Sequence, residues 1–239
     1  MNYGLQMYSV RDITEKDLAG ALKKVAEIGY KTVEFAGFFG HSAEEVKAML
    51  EENNLTVSGT HSSLDDLVND FEGTVKYHKT IGNTNYILPS APFMTKEELD
   101  DTIDKINKFQ PMLAAEGITL GYHNHDLEFL PNKDGLIAHE EMEKRTAINF
   151  QIDTFWVYFA GKDPIEVLER LKDRINVIHL KDGLANREGR SLGEGTAPVA
   201  AVRAKALELG MHMVVESESL TPDGISEVTR CFEYLKTLE

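Results

Sequence analysis

The chain has one cysteine, Cys231, among 239 residues, so an intramolecular disulfide is excluded. No apolar run reaches the ~20 residues that would cross a bilayer as a helix. The opening "MNYGLQMYSV" carries neither a basic stretch nor a small-residue cleavage site, so no signal peptide is expected and the expected location is cytoplasmic. Cations are scarce: 25 lysines and arginines face 40 aspartates and glutamates, a formal net charge of −15. A nucleic-acid binder needs a basic face to neutralise phosphates, and none is available here. Neither nucleic acid nor membrane is therefore expected as a partner, and most of the acids read as solvated helix faces. Two nucleotide-binding signatures are also missing. No G-x-G-x-x-G follows the first strand, and G-x-x-x-x-G-K-[ST] occurs nowhere.

What remains is an ordinary globular composition, 42% apolar and 27% charged, in a chain long enough for one large core. Short runs rich in apolar and β-branched residues alternate with longer amphipathic stretches. The runs are "YGLQMYS", "KTVEFAG", "LTVSGTH", "TNYILPS", "ITLGYHNH", "AINFQID", "INVIHLKD" and "MHMVVES". Near-continuous apolar strands suit a parallel sheet buried on both faces. Ser42 with Glu45 and Thr95 with Glu98 form capping boxes, and Thr14 with Asp17 is a variant with Asp in the Glu position. Leu18, Leu22, Val25 and Ile28 make one helical stripe, which Gly29 ends; Gly82, Gly117 and Gly210 end later helices. Asp163-Pro164 and Thr221-Pro222 are expected to start helices with proline in the first turn. Eight strand–helix units match a (β/α)8 TIM barrel, which typically takes roughly 250 residues. One domain spanning residues 1–239 is expected. The unit between the fifth and sixth strands is the weakest, since "DLEFLPNKDG" reads as loop, and "LANREGRSLGEGTAP" reads as a loop over the barrel mouth.

Parallel strands of such a barrel end on one face, which carries the active site. Polar groups collect at those ends: Gln6 and Tyr8, Glu34, His61, His123-Asn124-His125, Asp153, His179, Lys181 and Asp182, then Glu216 and Glu218. The strand interiors stay apolar. Asp153, His179 and Glu216 end adjacent strands, and their oxygens and imidazole are ligand types for a divalent cation. A hydrogen-bonded cluster without metal is the alternative. Glu34 and His61 are candidates to touch substrate. Trp156, the only tryptophan, is a candidate wall for a sugar ring.

The pieces "GLQMYSVRD", "VEFAG", "GYHNHDLEF", "QIDTFWV", "AGKDP", "VIHLKDG", "LGEGT" and "VVESES", in this order, resemble the xylose isomerase-like superfamily of sugar phosphate isomerases and epimerases. The resemblance runs from the first strand to the last. It implies a TIM barrel with one divalent metal ion (Mn, Co, Mg or Zn) held by Glu, Asp, His and Glu from strands five to eight. Carried over by position, three of these are Asp153, His179 and Glu216. The first is where the chain departs: His123 occupies the usual Glu position, while Glu128 lies five residues on. Either could complete the set. In the epimerases of this family the two glutamates form an acid–base pair. Here the partner of Glu216 would be His123, His125 or Lys181.

The expected chemistry is proton abstraction next to a carbonyl of a sugar, keto-sugar or cyclitol, through an enediolate, with the cation as Lewis acid. Returning the proton gives an isomer or an epimer; expelling a β-hydroxyl gives a dehydration of the inosose dehydratase kind. Arg11, Arg187 and Arg190 are the arginines near strand ends that could meet a phosphate, and Arg187 is taken as a substrate contact. Two rivals share the barrel. An apurinic endonuclease calls for three zincs and a basic groove, against which the net charge argues. A non-catalytic sugar-binding barrel would follow from loss of a ligand. A homo-oligomer is compatible with the resemblance.

Overall fold

The computed structural model describes residues 2–239. Eight parallel strands close into a barrel: β1 (Gly4–Gln6), β2 (Thr32–Phe35), β3 (Thr56–His61), β4 (Asn85–Leu88), β5 (Thr119–His123), β6 (Asn149–Asp153), β7 (Ile175–Leu180) and β8 (His212–Val215). Each pairs with its neighbours in sequence, and β8 returns to β1. The fold is the (β/α)8 TIM barrel expected, and every strand lies within one of the eight apolar runs. Helices surround it. Their apolar stripes pack on outward-facing strand residues such as Val33, Phe35, Tyr86 and Ile178, all fully buried.

The helix starts follow local chemistry. Ser42–Glu45 and Thr95–Glu98 make the full reciprocal capping box, and Asp163 caps the helix whose first residue is Pro164. Two starts differ from expectation. Asp17 is itself the N-cap of helix Leu18–Ile28, its Oδ1 accepting from the Gly20 amide at 2.8 Å, while Thr14 closes a separate short helix. The last helix begins at Gly224, beyond Thr221-Pro222, because the Asp223 carboxylate takes the Ser226 amide at 2.7 Å. Both shifts have one cause: a short carboxylate satisfies the third amide of a helix from the residue just before it. The connection after β5 is a single 3-10 turn, Leu127–Phe129, followed by a short helix, Ala138–Arg145. The loop after β7 is less loose than its composition suggests. Gly189–Arg190 pairs antiparallel with Asp182–Gly183.

Two register shifts re-aim side chains near the barrel axis, one between β2 and β3 at Glu34 and one between β6 and β7 at Gln151. Gly59 belongs to the first. A Cβ there would lie 3.0 Å from Glu34 Oε2 and 2.7 Å from Ile87, so glycine makes the room in which the carboxylate sits.

A buried histidine outside the barrel axis couples this packing to pH. His78 Nδ1 lies 3.0 Å from Asn83 Nδ2 and 3.3 Å from Thr60 Oγ1, and burial lowers its pKa to about 4. The unfolded chain binds this proton first. The stability held by neutral His78 is therefore complete above about pH 6.5 and is lost as pH falls toward 4. Stability read by urea unfolding is expected to fall across that window, and His78→Asn is expected to reduce that loss by on the order of 3 kcal/mol.

Candidate active site

The barrel axis is polar at its C-terminal end, and Glu34 is the centre of that polarity. Its carboxylate is fully buried. It accepts from Gln6 Nε2 at 2.6 Å, Gln151 Nε2 at 2.5 Å and His179 Nε2 at 2.7 Å, and His61 Nε2 lies 3.1 Å away. Burial alone would raise its pKa, but His179 and His61 outweigh burial and hold it below the ordinary carboxylate value. Gln151 links the same groups from β6: its Oε1 lies 2.8 Å from His61 Nε2 and 3.2 Å from His123 Nδ1. These contacts orient three imidazoles from three strands.

With Nε2 of His179 anchored on Glu34, its Nδ1 points at Glu216 Oε2, 3.2 Å away, and toward Asp153 Oδ2, 4.0 Å away. One donor atom from each of His123, Asp153, His179 and Glu216 lies within 4.8 Å of the others, and all four residues are buried. Asp153 divides its oxygens. Oδ1 caps the helix Thr154–Phe159 by accepting from the Phe155 and Trp156 amides, both at 3.0 Å. Oδ2 is buried and has no hydrogen-bond partner. An orphaned buried carboxylate oxygen beside two imidazoles and a second carboxylate fits a divalent first-row cation, with mixed nitrogen and oxygen donors suiting Mn, Co or Zn. The imidazoles already have the outer hydrogen-bond partners that metal-binding histidines use. His61, His123 and His179 also meet, but there His61 Nε2 and His179 Nε2 are occupied by Gln151 and Glu34.

Lys181 closes the cluster from the β7 side. Its ammonium lies 3.0 Å from Glu216 Oε2, 3.0 Å from Glu218 Oε1, 3.7 Å from Asp153 Oδ2 and 4.9 Å from the centre of the Trp156 ring. Burial disfavours its charge, but the three carboxylates hold its pKa above the ordinary value. Glu216 shows the converse: burial pushes its pKa up, and Lys181 and His179 bring it well below the usual range. Burial likewise opposes charge on His179, and Glu34 with Glu216 raises its pKa to about 10.

The cluster opens into a cavity of about 600 Å³ at the barrel mouth, lined among others by Tyr8, Phe38, His61, His123, His125 and Glu216. A second cavity of about 590 Å³ lies on the barrel flank between helices Ala138–Arg145 and Pro164–Leu171, and no residue lines both.

The expected site residues fall into five places. His123, Asp153, His179, Glu216 and Lys181 form the cluster. Tyr8, His61 and His125 line the mouth, His125 with 40% of its side chain exposed. Gln6 and Glu34 sit beneath as supports, and Trp156 is buried under Lys181 and Arg187. Glu128 stands apart. The 3-10 turn folds its carboxylate back under β5, where it accepts from Tyr122 Oη at 3.2 Å and from the His125 amide at 3.0 Å. Burial raises its pKa to about 7. His123, and not Glu128, is thus the residue whose donor atom lies close to those of Asp153, His179 and Glu216. Arg187 is spent on a two-pronged ion pair with Asp126, 2.8 Å at each prong, which ties the loop after β7 to the loop after β5. Gln151 escaped the sequence reading. Its signal was there, a polar residue two before Asp153 and therefore on the same face of a buried strand.

Residues 22–235 match the model of the xylose isomerase-like TIM barrel family. The chain belongs to this family. An inosose dehydratase of Mesomycoplasma hyopneumoniae is 24% identical over 186 residues, covering 68% of this chain and 61% of the relative, so the chain spans about three-fifths of the length of such curated relatives. A sugar phosphate isomerase/epimerase of Parabacteroides distasonis is similar over 98% of this chain and 97% of its own, with TM-score 0.84 and 26% identity. A probable 3-DHS dehydratase of Bacillus anthracis shares the fold, with TM-score 0.77 and 14% identity, over 99% of each chain. Relatives of this chain are thus isomerases, epimerases and dehydratases. Among the described residues, no helix is long and apolar enough to cross a membrane.

Arg187 is half exposed and Asp126 is buried, and a pair with its cation in solvent is worth roughly 1 kcal/mol. Arg187→Ala is expected to speed amide exchange of residues 184–190 several-fold, about the fivefold that this energy represents, as read by mass spectrometry. Unchanged exchange would mean that the ribbon alone orders the loop.

Proposed function

We propose that the protein is a divalent-metal-dependent sugar isomerase or epimerase that abstracts a proton next to a carbonyl. The observation that carries this reading is the four-donor cluster of His123, Asp153, His179 and Glu216, with the unpartnered Asp153 oxygen, at the base of the mouth cavity. A cation held by these four side chains would supply Lewis-acid polarisation of a carbonyl. The chain's own residues supply the rest. Glu216 lines the cavity and is paired with the Lys181 ammonium at 3.0 Å, so its carboxylate is positioned to take the proton. His125 also lines the cavity, with a pKa lowered mainly by burial and next by Lys181, so a neutral imidazole is present as the second acid–base group. Lys181 sits between Glu216 and Glu218 and holds the Glu216 carboxylate in place. The substrate class that fits is a small sugar, keto-sugar or cyclitol.

A second reading is a dehydratase acting through the same enediolate, with Glu216, its carboxylate held by Lys181, passing the abstracted proton to the expelled β-hydroxyl, which leaves as water. It is favoured by the inosose dehydratases among the relatives and by a buried lysine 3.0 Å from the base. Both readings are tested together. Elemental analysis of the purified, chelator-free protein is expected to give about one Mn, Co, Mg or Zn per chain. About three zincs would indicate the nuclease chemistry instead, and no metal after soaking a non-catalytic barrel. Glu216→Gln is expected to keep the native circular dichroism spectrum and to lose turnover about 10²–10⁴-fold on whichever substrate a screen identifies, the usual worth of a general base. Undiminished turnover in that variant removes both readings.

A further inference from the structure

We infer that this site takes an uncharged sugar, keto-sugar or cyclitol and not its phosphate ester, because the chain's own carboxylates occupy the anion-binding positions of the barrel mouth. The inference rests on the proposed sugar chemistry and narrows its substrate. Barrels of this architecture commonly bind phosphate in the loops after the seventh and eighth strands. After β7 the glycine-rich segment "SLGEGTA" is wrapped around the buried carboxylate of Asp182. Its Oδ1 accepts from the amides of Gly183 at 2.8 Å and Ala197 at 3.0 Å, and its Oδ2 from those of Gly193 and Gly195, both at 3.0 Å. A Cβ on Gly195 would lie 2.1 Å from Asp182 Oδ1. A cradle of converging N–H groups is the usual device for an anion, and here its anion is internal.

The connection after β8 repeats the arrangement. Glu227, also fully buried, accepts from the Ser217 hydroxyl and from the amides of Ser219 at 3.4 Å and Thr221 at 3.1 Å. The helix that follows is closed by Asp223 on the Ser226 amide and by Asp12 on the Gly224 amide at 3.1 Å. The cations are committed as well. Arg187 is paired with Asp126, Arg190 with Glu188, and Arg11 donates to the carbonyls of Tyr8 at 3.0 Å and Glu218 at 2.8 Å. Lys181 is enclosed by three carboxylates. The charged side chains lining the cavity, histidines aside, are Asp66, Glu216 and Glu218. A phosphate dianion entering there meets like charge without a free guanidinium.

The test is binding of matched pairs to the metal-loaded full chain by isothermal titration calorimetry: D-fructose against D-fructose 6-phosphate, D-xylulose against D-xylulose 5-phosphate, and myo-inositol against myo-inositol 1-phosphate, with turnover assayed in parallel. The neutral member of at least one pair is expected to bind ten-fold or more tightly than its ester. An ester that binds equally or better, or orthophosphate that displaces the neutral sugar, overturns the inference. If an ester is turned over and Glu216→Gln abolishes that turnover, the isomerase reading stands and only the neutral substrate falls. If no member of any pair binds or reacts, and a wider panel of neutral sugars, keto-sugars and cyclitols gives no turnover either, both fall.

Discussion

The carboxylate of Glu34 gathers side chains from four other strands onto one point of the barrel axis. Gln6 reaches it from β1, His61 from β3, Gln151 from β6 and His179 from β7. A buried charge without partners costs several kcal/mol, so this acid is tolerable only where the strands bring those donors within reach. The two register shifts and the bare backbone of Gly59 are what allow it. Everything above this floor depends on it. His179 presents Nδ1 upward because Nε2 is held below, and His123 is steadied by Gln151, which is itself held by Glu34.

The second constraint is charge balance in a closed space. Asp153, Glu216 and Glu218 lie around one ammonium, Lys181, and Glu216 also meets the His179 imidazole. At Glu216 the charges of Lys181 and His179 outweigh burial, which lets a buried glutamate stay ionised. The same logic extends outward. Asp182, Glu227 and Asp223 are each satisfied by backbone amides, and Arg187 by Asp126. A chain with a net charge of −15 thus uses part of its acid excess as internal structure, filling loops that would otherwise attract anions.

Much of the architecture was legible because its determinants are local. An apolar run of four to six residues bounded by helix caps reads as a buried parallel strand wherever it occurs, and the boxes at Ser42 and Thr95 depend only on residues three apart. The misplaced starts at Thr14 and Thr221 show the limit of such reading. Several residues in a row could cap, and which one does depends on how the chain enters the helix. In the site, Asp153, His179 and Glu216 were legible because parallel strands must end on one face. Gln151 lies one residue pair deeper on the same face, between apolar neighbours in the strand, where a lone amide carries no local sign of the partners it meets. Glu128 and His123 were indistinguishable candidates for the fourth position, being five residues apart in a polar segment.

The order of residues alone therefore determined the barrel, the face on which chemistry collects and the kinds of group found there, since strand period and parallel pairing need no knowledge of distant contacts. Only the tertiary structure decided which of those groups meet. A 3-10 turn of three residues turned Glu128 away and left His123 beside Asp153, His179 and Glu216. An ion pair 61 residues apart in sequence holds Arg187 on Asp126, and a glycine loop closes on Asp182. These outcomes rest on distances between segments far apart in the chain, and such distances are set by packing, which no local pattern encodes.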